Sequence, residues 1–196
     1  MSSFGRKIPY SVIAIVYLFF ATLFIWLLGT SWGSWADRDF GISDQLAHGI
    51  ITHGPDLKFG GYTFGGAYYY LLWVFKTLLQ SPEASYYGAC ALFFASMLLI
   101  GRHLYRRLGS FQCSLFLFYG FASPSLIDIM SANWNPAFAL MLAGFGFWAV
   151  VLWALDKRAG AYILAAVLFS VAAQIHMSHL ISLMALFVLA IWKPTR

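Results

Sequence analysis

The segment from Pro9 to Thr30 reads PYSVIAIVYLFFATLFIWLLGT, a run of 22 residues without a charged side chain. A helix of about 20 apolar residues crosses the hydrocarbon core of a bilayer, which is about 30 Å thick. The run is too long and too aromatic for a secretory signal peptide, and no small-residue cleavage site follows it. We therefore expect it to remain in the protein as a first membrane span.

Similar apolar runs recur along the chain, which is 61% hydrophobic and only 10% charged. An ordinary soluble domain has about 25% charged residues, so this chain has too few to solvate a globular surface. The sequence predicts an all-α integral membrane protein, a single polytopic domain over residues 1–196, with about six transmembrane helices and a count of seven left open. The predicted spans are 9–30, 84–101, 111–130, 136–155, 160–175 and 178–192.

A long outer loop, residues 31–83, separates the first span from a bundle of five spans within residues 84–196. The loop includes a short apolar segment, 67–80, that decides the orientation of everything after it. As a helix it would reach only about 21 Å, too short to span, so we expect it to lie in the membrane interface.

The basic residues support this topology. If 67–80 lies in the outer interface, nine of the twelve Lys and Arg residues face the cytoplasm; if it spans, seven of those nine move outside. The positive-inside rule favours the first arrangement, with both termini cytoplasmic, in a cell membrane that we expect to be a bacterial inner membrane. Six of the seven acidic residues then fall on or near the outer face. The net charge of +5 comes from basic residues at the ends of the spans and does not indicate a nucleic-acid partner.

Known cofactor and metal motifs are missing from the sequence. Cys90 and Cys113 both lie inside apolar runs, which favours small buried packing residues over a disulfide or a metal pair. The sequence has no CxxC, HExxH, Walker or GxGxxG motif, so zinc-protease, P-loop and dinucleotide-binding functions have no support.

The outer loop contains a group of charged residues that could be either solvated or functional. Asp37, Arg38, Asp39 and Asp44 lie close together in a segment rich in aromatic residues that ends in a Gly-rich turn. Acids in a polar loop are most often simply solvated. The aromatic content instead favours a loop folded onto the membrane, with a short amphipathic helix over Ile42–Ile51.

Two later segments add polar residues at predicted span ends. Asn135 and Pro136 have the pattern of an N-cap followed by a first-turn proline, although a functional role for the Asn is equally open. Asp128 lies near the outer end of its span, where an ionisable group is a functional candidate. His176 and His179 are three residues apart, but without a neighbouring acid or Cys they favour interfacial histidines over a metal site.

Several short motifs occur in the order and approximate spacing of a known family. They are Gly65-Gly66-Ala67-Tyr68-Tyr69-Tyr70-Leu71-Leu72, Arg106-Arg107-Leu108-Gly109, Ser123-Pro124, Trp134-Asn135-Pro136 and Gln174-Ile175-His176. Together with the acidic loop, they resemble the N-terminal half of GT-C-fold polyprenyl-phosphate-sugar glycosyltransferases, such as protein mannosyltransferases and aminoarabinose transferases.

This resemblance implies transfer of a sugar from a polyprenyl phosphate donor to an acceptor at the outer membrane face. Asp39 takes the position of the catalytic acid, fifteen residues before Gly54. The substrate-binding residues it implies are Asp37, Arg38, Asp44, Tyr68, Tyr69, Trp134, Asn135 and His176. The reaction requires no cofactor, and the use of a divalent cation is left open. The implied partners are membrane lipids, the polyprenyl-phosphate sugar and other membrane subunits.

A second hypothesis is a non-catalytic GT-C-like scaffold subunit of a larger membrane complex. It is favoured by the short chain, by Phe40 where the family has Glu, and by Thr63-Phe64 where the family has a phosphate-binding Lys or His. Gly88, Gly144 and Gly146 would permit close helix packing. A small transporter is a third and weaker hypothesis, because no inverted repeat is evident.

Overall fold

The structure is a computed structural model that describes residues 8–28, 35–56, 62–123, 126 and 135–192. It is all-α, as predicted, apart from one short β-hairpin. The helices are α1 (Tyr10–Leu28), α2 (Trp35–Asp44), α3 (Ala67–Leu79), α4 (Pro82–Leu108), α5 (Ser110–Tyr119), α6 (Asn135–Asp156), α7 (Ala159–Ile175) and α8 (Leu180–Trp192), and the antiparallel strands are β1 (His53–Asp56) and β2 (Tyr62–Phe64).

Among the described residues, three helices are long and apolar enough to cross a membrane: α1, α4 and α6. Helices α5, α7 and α8 are apolar but shorter. Of the predicted span 111–130, the described part is helical to Tyr119 and continues as a 3₁₀ turn to Ala122. Most of its second half, including Asp128, lies outside the described residues.

Helix α4 begins two residues before the predicted span 84–101 and ends about two turns after it. Ser81 caps it, because its Oγ accepts a hydrogen bond from the backbone N–H of Ala84 at 3.2 Å, and Pro82 occupies the first turn. The helix continues past the predicted end at residue 101 to Leu108. Its last turn contains basic residues, which are favourable at the negative end of the helix dipole.

The segment between α1 and α3 packs against α3 through α2. Helix α3 spans Ala67–Leu79, close to the predicted 67–80, and ends because Gln80 adopts the left-handed conformation with φ of 56°. Lys76, a charge that would be costly in mid-membrane, forms an ion pair with Asp44 of α2.

The helix predicted at Ile42–Ile51 is misplaced. The chain is helical from Trp35 to Asp44 and forms a 3₁₀ turn over Gln45–Ala47, and Ile50 is 83% exposed instead of facing the bundle. Ile42 and Leu46 pack against the core, but Ile50 does not, because Gly49 follows the turn and the chain leaves helical geometry before Ile50.

Two clusters form the core. Aromatic residues join α1, α4 and α5, with the Tyr17 ring 6.0 Å from Phe94 and 6.1 Å from Phe118. Small residues let α6 and α7 approach closely, as at Gly146, which lies against the Phe169 ring. Cys90 and Cys113 are free and buried, as predicted.

The helices alternate in direction, so that the starts of some helices meet the ends of others at each end of the bundle. At one end, the Tyr105 hydroxyl donates to the Ile8 carbonyl, and both His103 and Arg107 lie 3.5 Å from Asp156. The start of α1 therefore meets the ends of α4 and α6. We call this the basic end, because its surface also includes exposed Arg102, Arg106, Lys157 and Arg158.

The close packing of α6 against α7 yields a test with two matched glycines. A Cβ at Gly146 would lie 2.6 Å from Phe169, whereas a Cβ at Gly160 would meet nothing within 4 Å. We expect Gly146→Ala to destabilise the protein by about 1–3 kcal/mol through overpacking. We expect Gly160→Ala to be neutral or to stabilise by up to about 1 kcal/mol, since both positions are helical. Unfolding in mixed detergent micelles measures both; equal effects would contradict the packing described.

Candidate functional site

The buried carboxylate of Asp39 lies where α2, α3 and α4 meet. Its side chain is fully buried. Oδ1 accepts hydrogen bonds from Arg38 Nε at 3.2 Å and Nη2 at 3.1 Å, and Oδ2 accepts one from the Tyr68 hydroxyl at 2.8 Å. A buried charge is tolerated only when it is paired and hydrogen-bonded, and Asp39 meets both conditions.

The hydrogen-bond chain extends from Asp39 into α4. The Tyr68 and Tyr86 hydroxyl oxygens are 2.7 Å apart. Because the Tyr68 hydroxyl donates its hydrogen bond to Asp39, Tyr86 is the donor and Tyr68 the acceptor in this second hydrogen bond. Burial, followed by the neighbouring Tyr86 and Asp39, raises the pKa of Tyr68 well above its usual value. Tyr68 therefore stays protonated and remains a donor to the carboxylate.

Arg38 differs from its partner in exposure. Its side chain is 39% exposed, so the guanidinium covers Asp39 and also faces outward. The exposed part of a guanidinium in this position can meet an anion at the surface while the group is bonded to the carboxylate. The Arg38–Asp39 pair is the part of the site with access to a ligand.

The other loop acids contribute differently. Asp44 is exposed and forms the ion pair with Lys76, which ties α2 to α3. Asp37 lies within α2, but its side chain is outside the described residues, as is the whole of Trp134. Tyr69 is buried, with its ring 5.2 Å from that of Tyr68.

Asn135 joins α6 to α7 instead of capping its own helix, which corrects the sequence-based prediction. Its Nδ2 donates to the Ile175 carbonyl at 2.5 Å, across 40 residues of sequence. Its Oδ1 is buried and, among the described residues, accepts no hydrogen bond, so it does not cap the first turn of α6. The bond to Ile175 satisfies a carbonyl at the end of α7, where helices leave such groups without intrahelical partners.

Aromatic contacts connect Asn135 to the Asp39 network. Phe138, one turn after Asn135, has its ring 5.7 Å from Tyr68 and 5.3 Å from Tyr86. The acidic loop and the start of α6 therefore lie at the same end of the bundle. Neither Tyr86 nor Phe138 stands out in the sequence, since both lie in apolar helices; only their position near a helix start could have indicated them.

The Gly-rich turn before α3 packs against the end of α7. Gly65 has a φ of 76°, and a Cβ at this position would lie 2.8 Å from Gln174 Oε1. The hairpin that precedes the turn pairs His53 with Phe64. The sequence-based prediction did not include this hairpin, although Tyr62-Thr63-Phe64 next to a Gly-rich segment is a recognisable strand signal.

His176 lies at the same end, just after α7. Its Nδ1 is 2.7 Å from Ser178 Oγ, and its ring centroid is 6.5 Å from that of His179. Burial lowers the pKa of His176, so its ring is neutral at pH 7. Within the described ranges, no group of three His, Cys, Asp or Glu side chains could hold a metal ion.

These contacts define one cluster, which we call the acidic end. It brings together Asp39, Arg38, Tyr68, Tyr69, Asn135 and the segment 174–176, and it lies opposite the basic end. Comparison of the chain with family models, curated proteins and solved structures gives no match.

The Tyr68–Asp39 hydrogen bond can be tested with a second tyrosine from the same helix. Tyr68→Phe removes one donor from a buried carboxylate, so we expect a loss of about 1–3 kcal/mol in the free energy of unfolding. Tyr70 is exposed, and Tyr70→Phe should change it by less than about 0.5 kcal/mol. Unfolding in detergent measures both variants, and a neutral Tyr68→Phe would show that the buried hydroxyl does not stabilise the fold.

Proposed function

We propose that the chain is a GT-C-like membrane glycosyltransferase, or the N-terminal half of one. It would transfer a sugar from a polyprenyl phosphate donor to an acceptor at the outer membrane face. The observation that carries the proposal is the Arg38–Asp39 pair, a buried carboxylate next to a partly exposed guanidinium. It lies at the end of the bundle that also contains Asn135 and the family-like segments 65–72 and 174–176. An acid and a phosphate-binding cation in contact are the two groups that this reaction needs.

The proposed topology has six spans, with the acidic end outside and the basic end in the cytoplasm. It adds α5, α7 and α8, extended by their neighbouring residues, to the three helices that are long enough to span. Support comes from the charges, because Arg102, Arg106, Arg107, Lys157 and Arg158 all lie at the basic end. Helix α3 lies in the outer interface, where its Lys76 meets Asp44.

In the proposed reaction, the donor phosphate draws Arg38 away from Asp39. A guanidinium can pair with phosphate through two parallel hydrogen bonds, and Arg38 is already partly exposed. Its departure removes both Arg38 hydrogen bonds from Oδ1, while Tyr68 continues to hold Oδ2 and fixes the direction of the carboxylate. Binding of the donor phosphate would therefore uncover the base.

Asp39 then acts as general base. It removes the proton from an acceptor hydroxyl or amine as that atom attacks the anomeric carbon. The bond from the anomeric carbon to the phosphate oxygen breaks, and its electron pair leaves with the polyprenyl phosphate, inverting the anomeric centre. Asn135 and His176 lie at the same end, where they would line the sugar or phosphate pocket.

Removal of the Asp39 carboxylate tests this function. Asp39→Asn should reduce the release of polyprenyl phosphate from polyprenyl-phosphate-linked hexoses or pentoses by at least about 10²-fold, the usual contribution of a general base. The assay uses the full chain in membranes, and insertion and thermal unfolding are measured in parallel. Glu83→Gln, an exposed acid at the same end, is the matched control and should keep normal activity. A folded Asp39→Asn protein with full activity would refute the assignment.

One observation favours the second candidate, a non-catalytic scaffold subunit. Both oxygens of Asp39 accept hydrogen bonds and the carboxylate is fully buried, which is the geometry of a group that stabilises the fold.

The glycines that permit close helix packing are used within the chain: Gly88 lies against Phe75, Gly144 against Ser96 and Gly146 against Phe169. A partner would have to use another face, such as that of α8, where Ile181 and Met184 are exposed.

Gentle purification distinguishes the two candidates. A polyprenyl lipid that co-purifies with the chain supports the glycosyltransferase. A stoichiometric set of other membrane subunits, without such a lipid, supports the scaffold.

A further inference from the structure

A cavity of about 350 Å³ lies at the basic end of the bundle, between the first turn of α1 and the last turns of α4. It is lined by Tyr10, Arg102, Tyr105 and Arg106. The two arginines are four residues apart, so they lie on the same face of α4, and both are exposed. The cavity therefore presents two guanidinium groups to whatever enters it.

The walls of the cavity are held in place by backbone contacts. The Tyr105 hydroxyl donates to the Ile8 carbonyl at 3.0 Å, and the Tyr10 hydroxyl donates to the Leu98 carbonyl at 2.6 Å. The two rings also contact each other, with centroids 5.6 Å apart. Because the tyrosine protons are already used, the arginines are left as the donors available to a ligand.

The two arginines lack an acidic partner within the part of the chain that the structure describes. Arg107, which follows them on α4, pairs with Asp156, but no described carboxylate lies within ion-pair distance of Arg102 or Arg106. Two neighbouring cations favour an anion with several oxygen atoms. Phosphate fits best, since guanidinium groups bind it through paired hydrogen bonds.

The depth of the cavity indicates that the phosphate belongs to a lipid. The apolar part of α4 runs from Glu83 to Leu108, 26 residues, or about 39 Å of helix. This exceeds the hydrocarbon thickness of about 30 Å, so the end of α4 that contains Arg102 and Arg106 reaches the headgroup layer. Tyrosines such as Tyr10 and Tyr105 are typical of that layer.

An apolar groove on α5 begins at the same end of the bundle as the cavity. It has a volume of about 380 Å³ and is lined by Phe111, Ser114, Leu115, Phe118 and Tyr119. Helix α5 starts two residues after the end of α4, at the basic end, and runs alongside α1, with Phe118 6.1 Å from Tyr17. A molecule with its phosphate between the arginines could extend an acyl chain along this groove.

We propose that the Arg102–Arg106 cavity binds the phosphodiester headgroup of an anionic phospholipid, with an acyl chain in the α5 groove. This site is at the opposite end from Asp39 and does not depend on the glycosyltransferase proposal. It would attach the first span and α4 to the headgroup layer by a specific lipid, beyond the general attraction of basic residues to the membrane surface.

Native mass spectrometry of the full chain in detergent tests the site. The probes are dioctanoyl phosphatidylglycerol, which is anionic, and dioctanoyl phosphatidylcholine, which has the same phosphodiester without the net charge. The wild-type chain should bind phosphatidylglycerol more tightly. The double variant Arg102→Gln, Arg106→Gln should bind it about tenfold more weakly or worse, because two charge-assisted phosphate contacts are lost.

The matched control removes two charges from the same end without touching the cavity. The double variant Lys157→Gln, Arg158→Gln should change phosphatidylglycerol affinity by less than about twofold, since neither residue lines the cavity. If the arginine-to-glutamine variant fails to fold, Arg102→Lys, Arg106→Lys replaces it. That variant keeps both charges but loses paired hydrogen bonding, so its affinity should fall by about threefold or more.

Three results would overturn the proposal. The first is an equal loss of phosphatidylglycerol in the cavity and control variants, which would indicate unspecific surface attraction. The second is equal binding of the two lipids by the wild-type chain. The third is displacement of the lipid by millimolar inorganic phosphate, which would assign the cavity to soluble phosphate.

Discussion

The burial of one carboxylate holds the acidic end of this protein together. Asp39 is completely enclosed, and its contacts with Arg38 and Tyr68 stabilise an ionised group in that position. Since Tyr68 lies in α3 and is bonded to Tyr86 in α4, the charge fixes α2 against two other helices. Helix α2 is therefore a packed part of the fold and not part of a solvated linker.

Other contacts extend this arrangement around the same end. Lys76 pairs with Asp44, the Gly65 turn lies against Gln174, and Asn135 binds the Ile175 carbonyl. Each contact joins segments that are distant in the sequence. Together they give a preformed surface on which a partly exposed cation, Arg38, lies next to a buried carboxylate.

The sequence predicts well what is decided locally and poorly what is decided by distant contacts. The limits of α3 and the Ser81 cap follow from apolar spacing and helix-start residues within a few positions. The burial of Asp39 does not, because its partner Tyr68 is 29 residues away and tyrosine at a membrane interface needs no such partner. The cap role suggested for Asn135 is not found for the same reason. A cap depends only on neighbouring residues, whereas the Asn135 side chain donates a hydrogen bond to a carbonyl of another helix.

A double-mutant cycle between Asp39→Asn and Tyr68→Phe tests the central claim most directly. The free energy of unfolding is measured in detergent for the wild type, both single variants and the double variant. If the buried hydrogen bond holds the loop to the bundle, the two effects are coupled by about 1–3 kcal/mol, as expected for residues in direct contact. Effects that add to within about 0.5 kcal/mol would show that Asp39 and Tyr68 stabilise the protein independently, and would contradict the account.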